Sequence, residues 1–309
     1  MHTPVLLDEV IQYLAIKPHG IYVDGTFGRG GHAQAILQHL NAEGRLFATD
    51  KDWEAIQIAK HQPVFQDQRF DIQQGSFTQL YALLLEQHSI GNVDGILLDL
   101  GVSSPQLDTA ERGFSFTHDG PLDMRMDNTQ SMDAKRWLQE KTEAEMAQVF
   151  KQYGEERFAR RIAKAIAQAR QQSPIETTKQ LADIVAKAHP RWEPHKHPAT
   201  RTFQAIRIAV NSELTELATV LQQSLDILKP GGRLLVISFH SLEDQIVKDF
   251  ITEHATTAHI PKDLPLTHTA LQARLRLKRI NGAIRPSEAE CRHNIRARSA
   301  ILRIMEKLQ

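Results

Sequence analysis

The sequence predicts an α/β protein: a doubly wound, mainly parallel sheet with an inserted, mainly helical domain. Short apolar strands alternate with amphipathic helical segments along the first third of the chain, and one strand runs directly into a glycine-rich turn. This alternation stops after Asp99 and resumes near Phe203. Alternating strands and helices are typical of a parallel sheet built from right-handed crossovers. The interruption therefore indicates an insertion.

The first predicted strand, Ile21–Asp24, leads into a turn that contains Gly28, Gly30 and Gly31. Glycine tolerates positive φ and carries no β-carbon that would keep a ligand away from the backbone. A helix predicted from His32 to Leu40 follows, and the N–H groups at a helix start are free to bind a ligand. We therefore expect a nucleotide-like cofactor at this turn.

The second predicted strand ends on Asp50, whose carboxylate can accept both hydroxyl hydrogens of a ribose. Helices and further strands continue the alternation. They are the helices Trp53–His61 and Thr78–Gln87 and the strands Arg45–Asp50, Phe70–Gln73 and Gly95–Asp99.

The glycine pattern alone does not choose the cofactor. Gly28-x-Gly30-x-x-Ala33 with Asp50 downstream also fits the dinucleotide fingerprint, so an NAD-dependent oxidoreductase is one alternative. Two other features favour a different cofactor. Asp24 and Asp99 each end a predicted strand, and a Lys-Pro-Gly-Gly turn precedes a late apolar strand. This combination resembles the class I methyltransferases that use S-adenosyl-L-methionine.

Two domains are expected, with residues 103–199 inserted as a helical substrate-recognition domain into a discontinuous cofactor-binding domain, 1–102 and 200–309. Thr142-x-x-Glu145 and Thr177-x-x-Gln180 are capping-box patterns that predict helix starts in the insertion. After it, apolar residues follow a helical spacing that predicts one helix packed on the sheet, and then a strand, Arg233–Phe239. The helix would bury Phe203, Ile206, Val210, Leu214, Leu217 and Leu221.

Charge is distributed unevenly, although 37 basic and 37 acidic side chains give no net charge. Residues 271–303 contain nine Lys or Arg and two acids. Such asymmetry indicates either a phosphate-facing surface or a solvated face. In the first case RNA would be contacted by Arg276, Lys278, Arg296 and Arg298.

A single cysteine, Cys291, rules out an intramolecular disulfide and cysteine-based zinc sites, and it suits a reducing cytosol. No apolar run is long enough to cross a bilayer, so we expect a cytoplasmic protein without a membrane partner. The pair His195-x-His197 is flanked by prolines and has no carboxylate or cysteine cluster beside it, so no metal site is expected there.

Eight motifs in chain order resemble the bacterial ribosomal RNA small subunit methyltransferase H family, which methylates a cytosine N4 in 16S ribosomal RNA. The resemblance covers nearly the whole chain. The motifs are Asp24–His32, Asp99–Gln106, Arg112–Phe116, Gly120–Asp127, Tyr153–Phe158, His197–Gln204, Ser238–Asp244 and Arg296–Ser299.

The resemblance implies a class I methyltransferase (Rossmann-like) fold, S-adenosyl-L-methionine as cofactor, and 16S ribosomal RNA within the small ribosomal subunit as partner. The family's target is cytosine 1402 in the decoding region. A non-catalytic RNA-binding ribosome assembly factor remains an alternative. These patterns do not set the oligomeric state, and a homodimer is compatible with them. By the resemblance, the cofactor contacts would be Gly30, Gly31, His32, Asp50, Phe77, Asp99 and Gln106.

The acceptor, an exocyclic amine conjugated with its ring, is a poor nucleophile, so the site must align it and accept its N–H hydrogen bonds. Many amino-methyltransferases use an Asp, Asn or Ser before Pro-Pro-aromatic, a pattern absent after Asp99. Asp99, Ser103 and Ser104 are the candidates for this role. His240, at the end of a predicted strand, is placed either to contact substrate or to serve as a hydrogen-bonded strand-end residue.

Overall fold

The computed structural model describes residues 4–191, 197–257 and 274–309. Contacts divide the chain into two compact units, Met1–Gly101 with Leu214–Gln309, and Val102–Glu213. We call them the sheet unit and the helical unit. The helices are α1 Leu7–Leu14, α2 Gly31–His39, α3 Trp53–His61, α4 Leu80–Glu86, α5 Ser104–Asp108, α6 Ala134–Glu140, α7 Glu143–Gly154, α8 Ala159–Gln172, α9 Thr178–Ala188, α10 Ala199–Asn211, α11 Glu213–Ile227, α12 Ser241–Ala255 and α13 Glu288–His293.

Within the described residues the sheet has seven strands, in the order β3-β2-β1-β4-β5-β7-β6. Strands β1 to β5 run parallel, whereas β7 is antiparallel to both of its neighbours. The strands are β1 Ile21–Asp24, β2 Arg45–Asp50, β3 Phe70–Gln74, β4 Val93–Asp99, β5 Leu228–Ser238, β6 Leu277–Arg279 and β7 Ile301–Lys307. The predicted strands are confirmed, although β5 begins five residues before the predicted Arg233.

Alternate residues of each central strand point into two separate apolar cores. In β1, Tyr22 belongs to one core and Val23 to the other; in β4, Leu97 and Leu98 divide in the same way. Helices α1, α2 and α3 supply the first core, and α4, α11 and α12 supply the second. A period of two with both faces covered is what a doubly wound sheet requires, so the predicted fold class is confirmed.

The helical unit has its own core, which includes Trp137, Phe150, Ile162 and Phe203. The predicted capping boxes are present: the Thr142 and Thr177 side chains accept hydrogen bonds from the N–H groups of Glu145 and Gln180. These reciprocal bonds satisfy backbone donors that have no partner inside the helix.

The prediction of one helix through Phe203 and Leu221 is wrong. α10 ends at Asn211, Ser212 takes a left-handed conformation (φ 55°), and α11 follows as a separate helix. Phe203 packs in the core of the helical unit, whereas Leu221 packs in the sheet unit. The contact division accordingly places residues 200–213 in the helical unit, not with the sheet as expected from the sequence. Apolar spacing showed a buried face on each segment but could not show that different cores bury them.

No helix among the described residues combines the length and apolarity that a membrane span needs.

Candidate functional site

Three aspartates end the central strands of the sheet unit at one edge, which we call the carboxyl edge. Asp24 ends β1, Asp50 ends β2 and Asp99 ends β4. Asp24 is only 1% exposed, and the other two are partly buried. Ligands of open α/β sheets bind outside the carboxyl ends of the strands. The edge therefore brings together acids that are 75 residues apart in sequence (Asp24 to Asp99).

Asp24 is held by the turn that follows it. Its Oδ1 accepts a hydrogen bond from the N–H of Thr26 at 3.1 Å, while Oδ2 is buried and has no partner among the described residues. Burial, together with the nearby Asp50 carboxyl, raises the pKa of Asp24 to about 7 against the lowering effect of the Thr26 N–H. The charged form thus lacks a counter-charge in the free protein.

Asp50 ties the glycine turn to β2. Its Oδ2 accepts the N–H of Gly28 at 2.7 Å and its Oδ1 accepts the N–H of Asp52 at 2.8 Å. Burial raises the pKa of Asp50 to about 6, although both backbone donors lower it. Each carboxylate oxygen keeps a further lone pair, so Asp50 can still accept hydrogen bonds from a ligand.

His32 and Asp99 face each other, with 3.7 Å between His32 Nδ1 and Asp99 Oδ2. His32 Nε2 lies 3.0 Å from the Val5 carbonyl oxygen. Burial lowers the pKa of His32 to about 4, so the neutral ring donates through Nε2 and leaves Nδ1 as an acceptor. Burial, Asp24 and Glu243 raise the pKa of Asp99 well above its usual range, and its Oδ1 is buried without a partner in the described chain.

The glycines of the turn serve two different purposes. A β-carbon on Gly28 (φ +55°) would lie 3.9 Å from the Thr26 carbonyl oxygen and would meet nothing closer, so this side of the turn has room for a ligand. A β-carbon on Gly30 (φ +75°) would overlap Phe65, and one on Gly31 would overlap Pro4. These two glycines thus make room for the protein's own side chains, and the prediction that they contact the cofactor stays a prediction. Their N–H groups remain candidate ligand contacts.

Phe77 lies at the end of β3, where it begins a one-turn 3₁₀ helix capped by the Ser76 side chain. A β-carbon on Gly25 would lie 3.2 Å from Phe77 Cβ, so Phe77 packs beside the glycine turn. Six of the seven predicted cofactor contacts therefore belong to the sheet unit and lie close to the carboxyl edge. They are Gly30, Gly31, His32, Asp50, Phe77 and Asp99.

Gln106, Ser103 and Ser104 belong to the helical unit. Ser103 caps α5, and Gln106 Oε1 accepts the Ser103 N–H at 2.9 Å, so these two side chains form a capping box. Gln106 is 4% exposed. The structure therefore assigns Gln106 and Ser103 a local structural task besides any contact with a ligand.

Glu243 is a residue of the carboxyl edge that sequence reasoning did not single out. It is 2% exposed, and its Oε2 accepts the Phe239 N–H at 2.7 Å. His240 caps α12, with its Nε2 3.2 Å from Glu243 Oε1. The spacing of a cap residue and a Glu three positions later was the available signal.

The predicted RNA-contacting residues form two groups at opposite ends of β7. Arg296 and Arg298 precede β7, whose first residue pairs with Ser238 at the carboxyl edge. Arg276 and Lys278 lie at β6, which pairs with the other end of β7. Seven residues of strand separate the two ends by about 20 Å.

Three arginines of the basic segment already lie beside acids. Arg292 Nη1 lies 3.8 Å from Glu288 Oε2 in an exposed pair. Arg276 Nη2 lies 3.2 Å from Asp226 Oδ1. Arg303 binds Asp244 through two nitrogens at 2.5 and 3.0 Å, and both side chains are largely buried. Residues 271–273 lie outside the described residues. Arg303 is therefore an internal ion-pair residue, and the nine bases do not form one continuous surface.

The structure describes only one of the two histidines, His195 and His197, at which no metal site was expected. His195 lies outside the described residues, and the His197 ring stacks near Phe116 with centroids 4.6 Å apart.

The carboxyl edge brings four carboxyl groups together, since Asp24 interacts electrostatically with Asp50, and Asp99 with Asp24 and Glu243. Oxygens of Asp24 and Asp99 remain without partners in the described chain. Such a site favours a cationic ligand and disfavours a pyrophosphate. The sulfonium and ammonium groups of S-adenosyl-L-methionine fit this charge, whereas the pyrophosphate of NAD does not.

Comparisons with known proteins agree with this chemistry. The model of the MraW methylase family matches residues 1–308. Relatives named ribosomal RNA small subunit methyltransferase H, from Legionella pneumophila strains Paris and Corby, are 57% identical over 99% of this chain and 99% of their own length. A solved SAM-dependent O-methyltransferase from Thermotoga maritima aligns over 100% of this chain and 68% of its own with a TM-score of 0.43 and 10% identity. The family model and the Legionella relatives show that the chain belongs to the MraW methylase family, as a class I methyltransferase whose cofactor is S-adenosyl-L-methionine.

Proposed function

We propose that the protein transfers a methyl group from S-adenosyl-L-methionine to the exocyclic N4 of a cytosine in 16S ribosomal RNA, cytosine 1402 by the family's pattern. The observation that carries the proposal is the 57% identity, over 99% of both chains, to relatives named for methylation of the small-subunit RNA. The substrate would be met in the cytoplasm, in or near the small ribosomal subunit.

The cofactor contacts follow from the carboxyl edge. We assign the ribose hydroxyls to Asp50, which sits rigidly beside the open face of Gly28. Asp99 and His32 would face the charged methionine half, because their neutral pair can take up a cation by releasing the Asp99 proton. Gly30, Gly31, Phe77 and Gln106 complete the proposed set.

Methyl transfer from a sulfonium needs alignment of nitrogen, methyl and sulfur in a water-poor site, and no covalent nucleophile. Among the candidates for accepting the amino hydrogen bonds we favour Asp99. Its Oδ1 is buried and lacks a partner in the described chain, whereas Ser103 is engaged in the cap of α5. A bound cation would lower the pKa of Asp99 and make it a stronger acceptor. Ser104 remains the second candidate.

We propose that the helical unit recognises the RNA. Its exposed face on α8 carries Arg160, Arg161 and Lys164, while Ile162 and Ile166 pack inward. The base must be unpaired or extruded for N4 to reach the methyl group. His240, Arg296 and Arg298 at the carboxyl edge are proposed as further contacts from the sheet unit.

Incorporation of tritiated methyl groups into small-subunit particles, followed by nucleoside analysis, tests the activity. N4-methylcytidine at a single position is the expected product. Calorimetric titrations with S-adenosylhomocysteine and with NAD distinguish a methyltransferase from an oxidoreductase. We expect a heat of binding with S-adenosylhomocysteine and none with NAD. Cofactor binding without methyl incorporation would favour the non-catalytic assembly factor.

Asp50→Ala is expected to weaken cofactor binding by about 2 kcal/mol, because it removes a charge-assisted pair of acceptors for the ribose. Isothermal titration with S-adenosylhomocysteine measures the loss. Asp52→Ala is the matched control, because Asp52 caps the neighbouring α3 through the Glu54 N–H and should affect stability more than binding. Equal affinity of Asp50→Ala and wild type would refute the ribose assignment.

Cofactor affinity is expected to rise with pH between about 5.5 and 8. In the free protein Asp24 and Asp50 have pKa values raised to about 7 and about 6. A cation favours their ionised forms, so binding releases protons and is opposed at low pH, by up to about tenfold per pH unit per proton. The sulfonium of S-adenosyl-L-methionine should make its profile steeper than that of S-adenosylhomocysteine. Parallel, flat titration profiles for both ligands would contradict this linkage.

Salt dependence should separate the two basic groups. Changing Arg296 and Arg298 to Gln is expected to reduce the log–log slope of RNA affinity against salt by about two, if both contact phosphates. The same change at Arg276 and Lys278 should reduce it less, because these residues lie at the end of β7 that is remote from the carboxyl edge. Filter binding between about 50 and 200 mM salt measures both slopes. A larger reduction at Arg276 and Lys278 would show that RNA lies at the opposite end of the sheet.

A further inference from the structure

One carboxylate oxygen joins three segments of the sheet unit. Glu216 Oε2, near the start of α11, lies 2.7 Å from Lys51 Nζ and accepts the Ser76 hydroxyl at 2.6 Å. The Lys51 side chain is 10% exposed and that of Glu216 19%. The three groups form a largely buried, charge-assisted network rather than a surface pair, so its geometry should be well defined.

Lys51 and Ser76 each neighbour a residue of the proposed cofactor site. Lys51 directly follows Asp50 at the end of β2. Ser76 directly precedes Phe77 after β3, and its Oγ accepts the N–H of Thr78 at 3.2 Å, which caps the 3₁₀ helix that Phe77 begins. Glu216 therefore fixes the backbone on both sides of the space between Asp50 and Phe77.

The local backbone does not supply this spacing by itself. The last backbone hydrogen bond between the two segments runs from the Gly75 N–H to the Asp50 carbonyl oxygen at 2.8 Å, and the Gln74 side-chain amide lies 3.4 Å from the Lys51 carbonyl oxygen. The ladder of strand pairing therefore stops one residue before Ser76. Glu216 reaches both loops from far along the chain, 140 residues after Ser76 and 165 residues after Lys51. The network adds a side-chain link next to the last backbone bond between the two segments.

We propose that Glu216 is a positioning residue for cofactor binding: through Lys51 and Ser76 it holds the Asp50 and Phe77 loops at the separation that the adenosine half of the cofactor requires. The inference rests on the proposed contacts of Asp50 and Phe77. The inference predicts that a substitution within the network raises the cofactor Kd, although none of the substituted groups contacts the cofactor.

The test compares Ser76→Ala, which removes one arm, with Ser76→Thr, which keeps a hydroxyl. We expect Ser76→Ala to raise the Kd of S-adenosylhomocysteine about tenfold and Ser76→Thr to stay within about twofold of wild type. Glu216→Gln should also raise the Kd. Because the groups form one network, the Ser76→Ala/Glu216→Gln double variant should lose less than the product of the two single losses.

Asp94→Asn is the matched control. Asp94 near the start of β4 also holds two lysines, Lys17 at 3.3 Å and Lys229 at 2.5 Å, but at the opposite end of the strand from Asp99. It should lower the melting temperature and leave the Kd unchanged. If Glu216 had only a structural role, Ser76→Ala and Glu216→Gln would also lower the melting temperature and leave the Kd unchanged. An unchanged Kd in Ser76→Ala therefore overturns the inference. Asp50→Ala, titrated in the same series, separately reports whether the cofactor assignment itself holds.

Discussion

Asp99→Asn is expected to lower the rate of methyl transfer at saturating substrates by about 100-fold or more, while the protein remains folded. Asparagine keeps the shape of the side chain but cannot carry the negative charge that strengthens the acceptor for the cytosine amino hydrogens. Because burial and the neighbouring acids already hold the pKa of Asp99 well above its usual range, loss of the charge should not destabilise the fold. Single-turnover methyl incorporation and thermal melting measure the two effects.

Ser103→Ala and Ser104→Ala provide the comparison for Asp99. Ser103→Ala removes the cap of α5 and should cost about 1 kcal/mol of stability with a smaller effect on rate. The opposite result would be a rate lowered about 100-fold by Ser104→Ala and only slightly by Asp99→Asn. In that case the group that accepts the amino hydrogen bonds is Ser104. Because Asp99 is also a proposed cofactor contact, S-adenosylhomocysteine affinity is measured for each variant, so that weakened binding is not mistaken for a slower chemical step.

Joining residue 101 to residue 214 through a short flexible linker is expected to leave a folded, cofactor-binding sheet unit that no longer methylates RNA. The physical reason is that the cores are separate. The two cores that cover the sheet contain no residue of 102–213, and the core of the helical unit contains none from the sheet. Removal of the insertion therefore takes no residue out of either sheet core, while it removes the proposed RNA-recognition surface.

Circular dichroism, S-adenosylhomocysteine titration and methyl incorporation decide this prediction together. We expect cooperative melting and a measurable cofactor affinity, lowered by the loss of the proposed contact Gln106. Methyl transfer should fall by at least about 1,000-fold, because a base that is not positioned loses most of the advantage of proximity. Retained transfer at a single site of the RNA would show that the sheet unit alone recognises the substrate. Replacement of Arg160 and Arg161 by Gln in the full chain tests the same idea without altering the fold.

Local patterns in the sequence determined much of the sheet unit. Alternating apolar residues and turn glycines located β1, β2 and β4, and the bounds of α3 agree with the prediction at both ends. The capping pattern at Thr142 located the start of α7. These features depend on residues within a few positions of one another, because propensity, capping and periodicity act over one or two turns. The family motifs extended the same local information to the cofactor and the substrate class.

Only the tertiary structure decided which core a buried face meets, what each glycine accommodates and which charges are already paired. Spacing through Phe203 and Leu221 showed apolar faces, but the left-handed Ser212 sends the two segments to different cores. In the sequence, Arg303 belongs to a segment rich in basic residues, but in the structure its charge is paired with Asp244. The raised pKa of Asp24 likewise follows from burial and from Asp50, which lies on another strand. Burial and electrostatic coupling depend on distance in space, so contacts between residues far apart in the chain determine them.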